Sequence, residues 1–122
     1  MKATDLMIGD WVQGTCGNPI QVKELLEDGI NGEWDCAECY GVEAVYDDIK
    51  PIPLTPEILE KNGWWYNVED MWLHEEVGFC IEKFKGRFQC YDINQIKLDS
   101  VHELQQTLRL CGLDELADNF KV

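Results

Sequence analysis

Cysteine and histidine are the side chains in this sequence whose types and spacing could support chemistry. Cys36 and Cys39 form a C-x-x-C pair, the spacing with which a structural zinc site supplies two of its four ligands. No second pair at such close spacing completes a tetrahedral site, so we predict free thiols, no bound metal and no cofactor. The other four cysteines are far apart in the chain: Cys16, Cys80, Cys90 and Cys111.

Neither histidine belongs to a complete catalytic motif. His74 is followed by two glutamates, but a zinc protease needs a second histidine four residues further on. Ser100 is the only serine, and together with Glu103 it matches a capping box, which explains a serine before a helix. We therefore predict no catalytic residue and favour a protein that is not an enzyme. A small enzyme with a cysteine or carboxylate site, and a metal-binding accessory, stay open as alternatives.

Acidic residues dominate the charge of the chain, with 24 Asp and Glu against ten Lys and Arg and a formal net charge of −14. Such a field repels phosphate backbones and anionic lipid, which argues against direct binding of nucleic acid or a membrane surface. No apolar run is long enough to span a membrane, and the first residues lack an apolar signal core. We therefore predict a cytoplasmic protein.

The segment between Lys23 and Lys50 contains nine acidic residues and no Lys or Arg. Aromatic residues lie among these acids, so the segment could recognise a basic protein or peptide through charge steering and cation–π contacts. Mimicry of nucleic acid is a further alternative, since carboxylates can occupy a site built for phosphates. The predicted partner-binding residues are Trp34, Asp35, Glu38, Tyr40, Tyr46, Asp47 and Asp48.

Turn residues and alternating apolar positions predict an α+β fold. Residues 1–53 read as a small, strongly bent β unit, with a Gly-Asp turn before a strand at Trp11, a second strand near Ile20 and a hairpin at Asp28-Gly29. Residues 54–122 read as an antiparallel sheet with two helices. We expect the two parts to share one core, because the junction is too short for a free linker.

The helices are predicted from their caps. Thr55 and Pro56 suit the start of a helix over residues 56–62, and Ser100 suits the start of one over residues 101–111. In the second helix Leu104 and Leu108 define an apolar face that Leu110 widens, and the polar residues Gln105, Gln106 and Arg109 are expected on other faces. In the sheet, strands are predicted at residues 64–66, 71–73, 77–84 and 87–93.

Three motifs resemble a family of small uncharacterised proteins of the Bacteroides type. They lie at residues 6–12, 52–63 and 101–112. The first is Leu-Met-Ile-Gly-Asp-Trp-Val, and the third contains the predicted last helix. The resemblance implies a cytoplasmic bacterial protein without an assigned activity, and it carries over no catalytic residue. The first motif is also similar to the opening of SH3-like small barrels, where a Gly-Asp pair precedes a strand.

Overall fold

The computed structural model describes residues 1–15, 17–34, 41–91 and 96–122, which form two antiparallel sheets and three α-helices. The predicted α+β class is confirmed. The chain divides into two compact units, Met1–Ile52 (unit 1) and Pro53–Val122 (unit 2). The shared core stays a prediction.

Unit 1 is built on one five-stranded sheet. Its strands are β1 (Trp11–Gln13), β2 (Pro19–Leu25), β3 (Gly29–Trp34), β4 (Gly41–Val45) and β5 (Lys50–Pro51). They are all antiparallel to their neighbours, in the order β4-β3-β2-β1-β5. The Gly9-Asp10 turn before β1 is confirmed, since Asp10 accepts a hydrogen bond from the Met7 amide at 2.9 Å. Buried aliphatic side chains form the core of this unit: Leu6, Val12, Ile20, Val22, Ile30 and Ile49.

The connection between β4 and β5 forces this sheet to bend. These strands lie at opposite edges, which on a flat sheet would be about 19 Å apart, or four spacings of about 4.8 Å. Only five residue steps join Val45 to Lys50, and they reach about 18 Å at most when fully extended. Residues Tyr46–Asp48 shorten this reach, because they form a 3₁₀ turn, which rises only about 2 Å per residue. The two edges are therefore drawn together at this connection, and the sheet bends.

Two glycines allow the interior strand β3 to lie close to its neighbours. A Cβ atom at Gly29 would collide with the backbone carbonyl of Ala44 on β4, and one at Gly32 would lie 2.5 Å from the Gln21 carbonyl oxygen on β2. The prediction that Gly29 is a turn residue is wrong. The Leu26 amide donates to the Gly29 carbonyl at 2.8 Å, so residues 27–28 form the turn and Gly29 begins β3.

Unit 2 contains a four-stranded antiparallel sheet. Its strands are β6 (Trp64–Tyr66), β7 (Met71–His74), β8 (Ile81–Phe84) and β9 (Arg87–Cys90), paired in chain order. Lys85 and Gly86 both have positive φ, as a two-residue hairpin turn requires, so the hairpin predicted at this pair is confirmed. The predicted strand over residues 77–84 is too long, because Val77 donates to the His74 carbonyl in a turn before β8. The end of the strand predicted over 87–93 lies outside the described residues.

Three helices accompany this sheet: α1 (Pro56–Lys61), α2 (Val101–Leu110) and α3 (Asp114–Asp118). The predicted cap of α1 is confirmed, because the Thr55 hydroxyl accepts a hydrogen bond from the Ile58 amide at 3.2 Å. Leu104 and Leu108 are fully buried, as predicted for the apolar face of α2.

Two predictions about the faces of α2 are wrong. Gln105 is fully buried, and its side-chain amide donates to the Ala117 carbonyl of α3 at 3.0 Å. This hydrogen bond offsets the cost of burying the Gln105 side-chain amide inside unit 2. Leu110 does not widen the apolar face, since it is 84% exposed. The helix therefore buries an amide against α3 and leaves a leucine in solvent.

The close approach of β3 to β2 predicts that Gly32→Ala destabilises unit 1. The added methyl group would lie 2.5 Å from both the Gln21 carbonyl oxygen and Ile20 Cγ2, so strands or side chains must shift. We expect a loss of about 1–3 kcal/mol in the free energy of unfolding, measured by urea denaturation. Gly78→Ala is the control, because no atom of the described residues other than its chain neighbours lies within 4 Å of the added Cβ. Equal effects of the two substitutions would contradict the close approach.

The burial of α2 predicts unequal effects of two leucine truncations. Leu104→Ala removes a fully buried side chain and should cost about 2–5 kcal/mol in the free energy of unfolding. Leu110→Ala truncates a side chain in solvent and should change this free energy by less than about 0.5 kcal/mol. Thermal and urea unfolding of both variants test the expectation, which fails if Leu104→Ala costs no more than Leu110→Ala.

Candidate binding site

Two clefts that share Glu43 lie along β2, β3 and β4 in unit 1, and together we call them the acidic cleft. The first has a volume of about 530 Å³ and extends from the β2–β3 turn to β4. It is lined by Leu26, Glu27, Asp28, Gly29, Ile30, Glu43, Ala44 and Val45. The second has a volume of about 370 Å³. It is lined by Lys23, Glu24, Asn31, Gly32, Glu33 and Glu43.

Carboxylates dominate the lining of the acidic cleft. Five acidic residues line it and all of them are exposed: Glu24, Glu27, Asp28, Glu33 and Glu43. The one basic residue of the lining is Lys23, whose ammonium group lies 4.0 Å from the Glu33 carboxylate. Lys23 offsets one of the five negative charges, so the lining keeps a formal charge of −4. Carboxylates in this setting attract Lys and Arg side chains and repel acidic ones.

Aliphatic side chains stand beside these carboxylates. Leu26 and Val45 line the first cleft and are 40% and 49% exposed. Leu25, at the end of β2, is also exposed. A surface that combines apolar area with a single sign of charge fits a partner that carries both aliphatic and basic side chains.

The strand register places the acidic side chains of the second cleft on one face of the sheet. Glu24 on β2 lies opposite Asn31 on β3, which in turn lies opposite Glu43 on β4. Residues paired in this way share a face. Ala44 alternates with Glu43 and packs against the core on the other face. The second cleft therefore lies on the face of the sheet that points away from the core, whereas the first cleft is also lined by Ile30 and Ala44, which belong to the core cluster or pack against it.

Tyr46 holds the turn after β4 against the β2–β3 turn that lines the cleft. Its hydroxyl donates to the Leu26 carbonyl at 2.5 Å, and its amide donates to the Asp28 carbonyl at 3.2 Å. Its ring packs against the core cluster of unit 1. These contacts tie the end of β4 to the opposite wall of the first cleft.

The residues predicted to bind a partner fall into three groups. Asp35, Glu38 and Tyr40 lie outside the described residues, as does the side chain of Trp34, which ends β3. Tyr46 has the contacts just given. The last pair, Asp47 and Asp48, is exposed on the 3₁₀ turn and does not line either cleft. Their roles in binding stay predictions.

The acidic residues of the cleft are not among the predicted partner-binding residues. Glu27, Asp28 and Glu43 belong to the nine acidic residues between Lys23 and Lys50, where the sequence has no Lys or Arg. The β2–β3 turn could have predicted Glu27 and Asp28 as site residues, because the hairpin brings its two turn residues beside the end of β4. The prediction of this turn at Asp28-Gly29 is one residue too late and therefore misses Glu27.

His74 has a structural role in unit 2. Its Nε2 atom donates to the Asn62 carbonyl at 2.9 Å, and its Nδ1 atom accepts from the Glu76 amide at 3.0 Å. The ring also packs edge-on against Trp64, with 5.2 Å between centroids. Both ring nitrogens therefore form hydrogen bonds with backbone groups, one with Asn62 before β6 and one with Glu76 after β7. These contacts give His74 a structural role.

Ser100 does not form the predicted capping box. Its side chain caps no backbone amide of α2, and its hydroxyl instead donates to the Glu103 carboxylate at 2.7 Å. The Nδ1 atom of His102 lies 3.0 Å from the same hydroxyl oxygen. Because the single hydroxyl proton is given to Glu103, Nδ1 must be the donor in the contact with His102. The imidazole is therefore not placed to remove the serine proton, as a nucleophilic serine would require.

No disulfide bond links the described cysteines, Cys80, Cys90 and Cys111. Within residues 1–15, 17–34, 41–91 and 96–122, no three His, Cys, Asp or Glu side chains are grouped to hold a metal ion. Cys16 and the Cys36–Cys39 pair lie outside these ranges. In the same part of the chain, no helix has the length and apolar character needed to cross a membrane.

Comparison with protein-family models, with curated proteins and with solved structures gives no match. The resemblance to the Bacteroides-type family and to SH3-like barrels therefore stays a prediction.

The contacts of Tyr46 predict that its hydroxyl stabilises unit 1. Tyr46→Phe removes the hydrogen bond to the Leu26 carbonyl and should lower the free energy of unfolding by about 0.5–1.5 kcal/mol. Tyr91→Phe is the matched control, because the exposed Tyr91 hydroxyl has no hydrogen bond within the described part of the chain. Urea denaturation compares the two variants. A loss that is no greater for Tyr46→Phe than for Tyr91→Phe would contradict this role.

Proposed function

We propose that this protein is a non-catalytic interaction module whose acidic cleft binds a basic, partly aliphatic segment of another protein. The observation that carries the proposal is the lining of the first cleft, where three exposed carboxylates lie beside the exposed side chains of Leu26 and Val45. Two more exposed carboxylates, Glu24 and Glu33, line the adjoining second cleft. The partner is thus a protein or peptide with Lys or Arg close to aliphatic residues.

The aliphatic and the acidic side chains of the cleft contribute to the free energy of binding in different ways. An exposed ion pair contributes only about 0.2–1 kcal/mol, whereas fully burying one Val or Leu side chain contributes about 1.5–3 kcal/mol. Because Leu26 and Val45 are only 40% and 49% exposed, burying the rest of each would contribute roughly half of that value, so the aliphatic side chains and the ion pairs would supply comparable shares of the affinity. The carboxylates would raise the rate of encounter and reject acidic segments, as charges at the rim of an interface do.

Two further proposals accompany this one. Unit 1 is an SH3-like small barrel, which is supported by the four-stranded meander of β1–β4 in a bent sheet and by the pairing of β5 with β1. The protein acts in the cytoplasm, where reduced cysteines are the rule.

A labelled basic peptide tests the proposed function directly. The probe is a fluorescein-labelled octapeptide of sequence Lys-Thr-Val-Thr-Lys-Thr-Val-Thr, and fluorescence anisotropy measures its binding to the full chain. We expect the affinity to fall at least about tenfold between roughly 50 and 500 mM salt, because the screening length shrinks from more than 10 Å to a few ångström. The same peptide with Glu in place of Lys should not bind.

Matched charge variants locate the site. The triple variant E27Q/D28N/E43Q removes three carboxylates from the cleft, and we expect it to reduce the association rate at least about tenfold. The control E57Q/E60Q/E75Q removes the same charge from exposed positions in unit 2 and should change the rate far less. Equal effects of the two variants would contradict the proposal. A third variant, D47N/D48N, tests the two described acids that were predicted from sequence.

A further inference from the structure

The strand β4 is an edge of the unit 1 sheet, and its hydrogen-bond pattern can be read from one contact. The Tyr46 amide donates to the Asp28 carbonyl at 3.2 Å. In an antiparallel pair, residues alternate between those that bond to the neighbouring strand and those whose backbone groups point the other way. With Gly29 opposite Val45 and Asn31 opposite Glu43, the residues that bond to β3 are the even-numbered ones.

Glu43 and Val45 therefore direct their backbone N–H and C=O groups away from β3. Their strand lies at the end of the sheet order, and no hydrogen bond within the described residues engages these outward groups. Exposed backbone groups at a sheet edge are a template on which another extended chain can add a strand. The same two residues line the acidic cleft.

We infer that a partner segment binds in extended conformation and adds a sixth strand to the unit 1 sheet along β4. This inference rests on the proposed function and specifies the conformation of the basic segment. Charge complementarity selects this occupant over a second copy of the chain, because another copy carries the same net charge of −14 and would be repelled.

Strand addition sets the side-chain pattern of the partner. A residue bonded opposite Glu43 places its side chain on the face that carries Glu43, and so does the residue two positions away, opposite Val45. Cross-strand neighbours attract when their charges are opposite or when both are aliphatic. The partner therefore carries a Lys or Arg and an aliphatic residue separated by one position.

Val45 allows the backbone contact to be removed without a change of charge. Its φ of −78° and ψ of 152° lie within the range that proline adopts, and its amide does not pair with β3. Ala44, which precedes it, is in an extended strand, as the residue before a proline prefers. Val45→Pro thus deletes one outward N–H donor while the sheet keeps its hydrogen bonds.

The test compares Val45→Pro with Val45→Ala, which shortens the side chain and keeps the N–H group. Anisotropy with the lysine-valine peptide described above should give an affinity about tenfold lower for Val45→Pro than for Val45→Ala, since an unpaired peptide carbonyl is left at the contact. Circular dichroism and the melting temperature establish that both variants are folded. Equal affinities of the two folded variants would overturn strand addition.

Two further measurements keep the inference testable if Val45→Pro does not fold. In the wild-type chain, the Glu43 and Val45 amides should exchange with solvent at least about tenfold more slowly when the peptide is bound, because pairing protects them. A peptide of the same composition, Lys-Val-Thr-Thr-Lys-Val-Thr-Thr, places Lys and Val on opposite faces of a strand and should bind more weakly. Unchanged exchange at both amides, or equal affinity of the two peptides, would overturn the inference.

These outcomes separate the inference from the proposed function. If the peptide binds with the expected dependence on salt and on E27Q/D28N/E43Q, but Val45→Pro and Val45→Ala are equal, the cleft binds a basic segment without adding a strand. If neither salt nor the triple variant affects binding, the proposed function itself is wrong. Self-association through β4 would appear as a dimer in sedimentation that Val45→Pro disrupts, and it would also overturn the inference.

Discussion

The short connection from β4 to β5 is the constraint on which the rest of unit 1 depends. Five residue steps from Val45 to Lys50 cannot cross a flat five-stranded sheet, so the sheet must bend until its two edges approach each other. The 3₁₀ turn at Tyr46–Asp48 makes this reach shorter still. Because Tyr46 bonds to both Leu26 and Asp28, the same connection also sets the end of β4 beside the β2–β3 turn.

The shape of the acidic cleft follows from this arrangement and from the absence of one side chain. Gly29 lies in β3 beside β4, where a Cβ atom would collide with the Ala44 carbonyl. A glycine here permits close strand pairing and at the same time leaves the lining of the first cleft without a side chain between Leu26 and Val45. The missing side chain at Gly29 therefore both permits the close pairing of β3 with β4 and leaves space for a ligand in the first cleft.

The sequence allowed prediction of features that depend on neighbouring residues. The cap at Thr55 and the hairpin at Lys85-Gly86 each follow from local chemistry, and both are confirmed. The features that were missed depend on partners distant in the chain. Gln105 is buried because α3 supplies the Ala117 carbonyl, and Glu43 joins the cleft because the register of β4 places it opposite Asn31. Periodicity along one element contains no information about such partners.

Charge at the β4 edge serves two physical requirements at once. An exposed edge strand invites pairing with any extended chain, including a second copy, and proteins limit this hazard by placing charged residues there. Glu43 has this effect, and the other four carboxylates of the cleft extend it over the β2–β3 turn. A carboxylate that repels another acidic copy also attracts a basic strand, so protection of the edge and selection of a partner do not compete. The inferred mode of binding thus requires no residue beyond those that a stable, non-aggregating edge already needs.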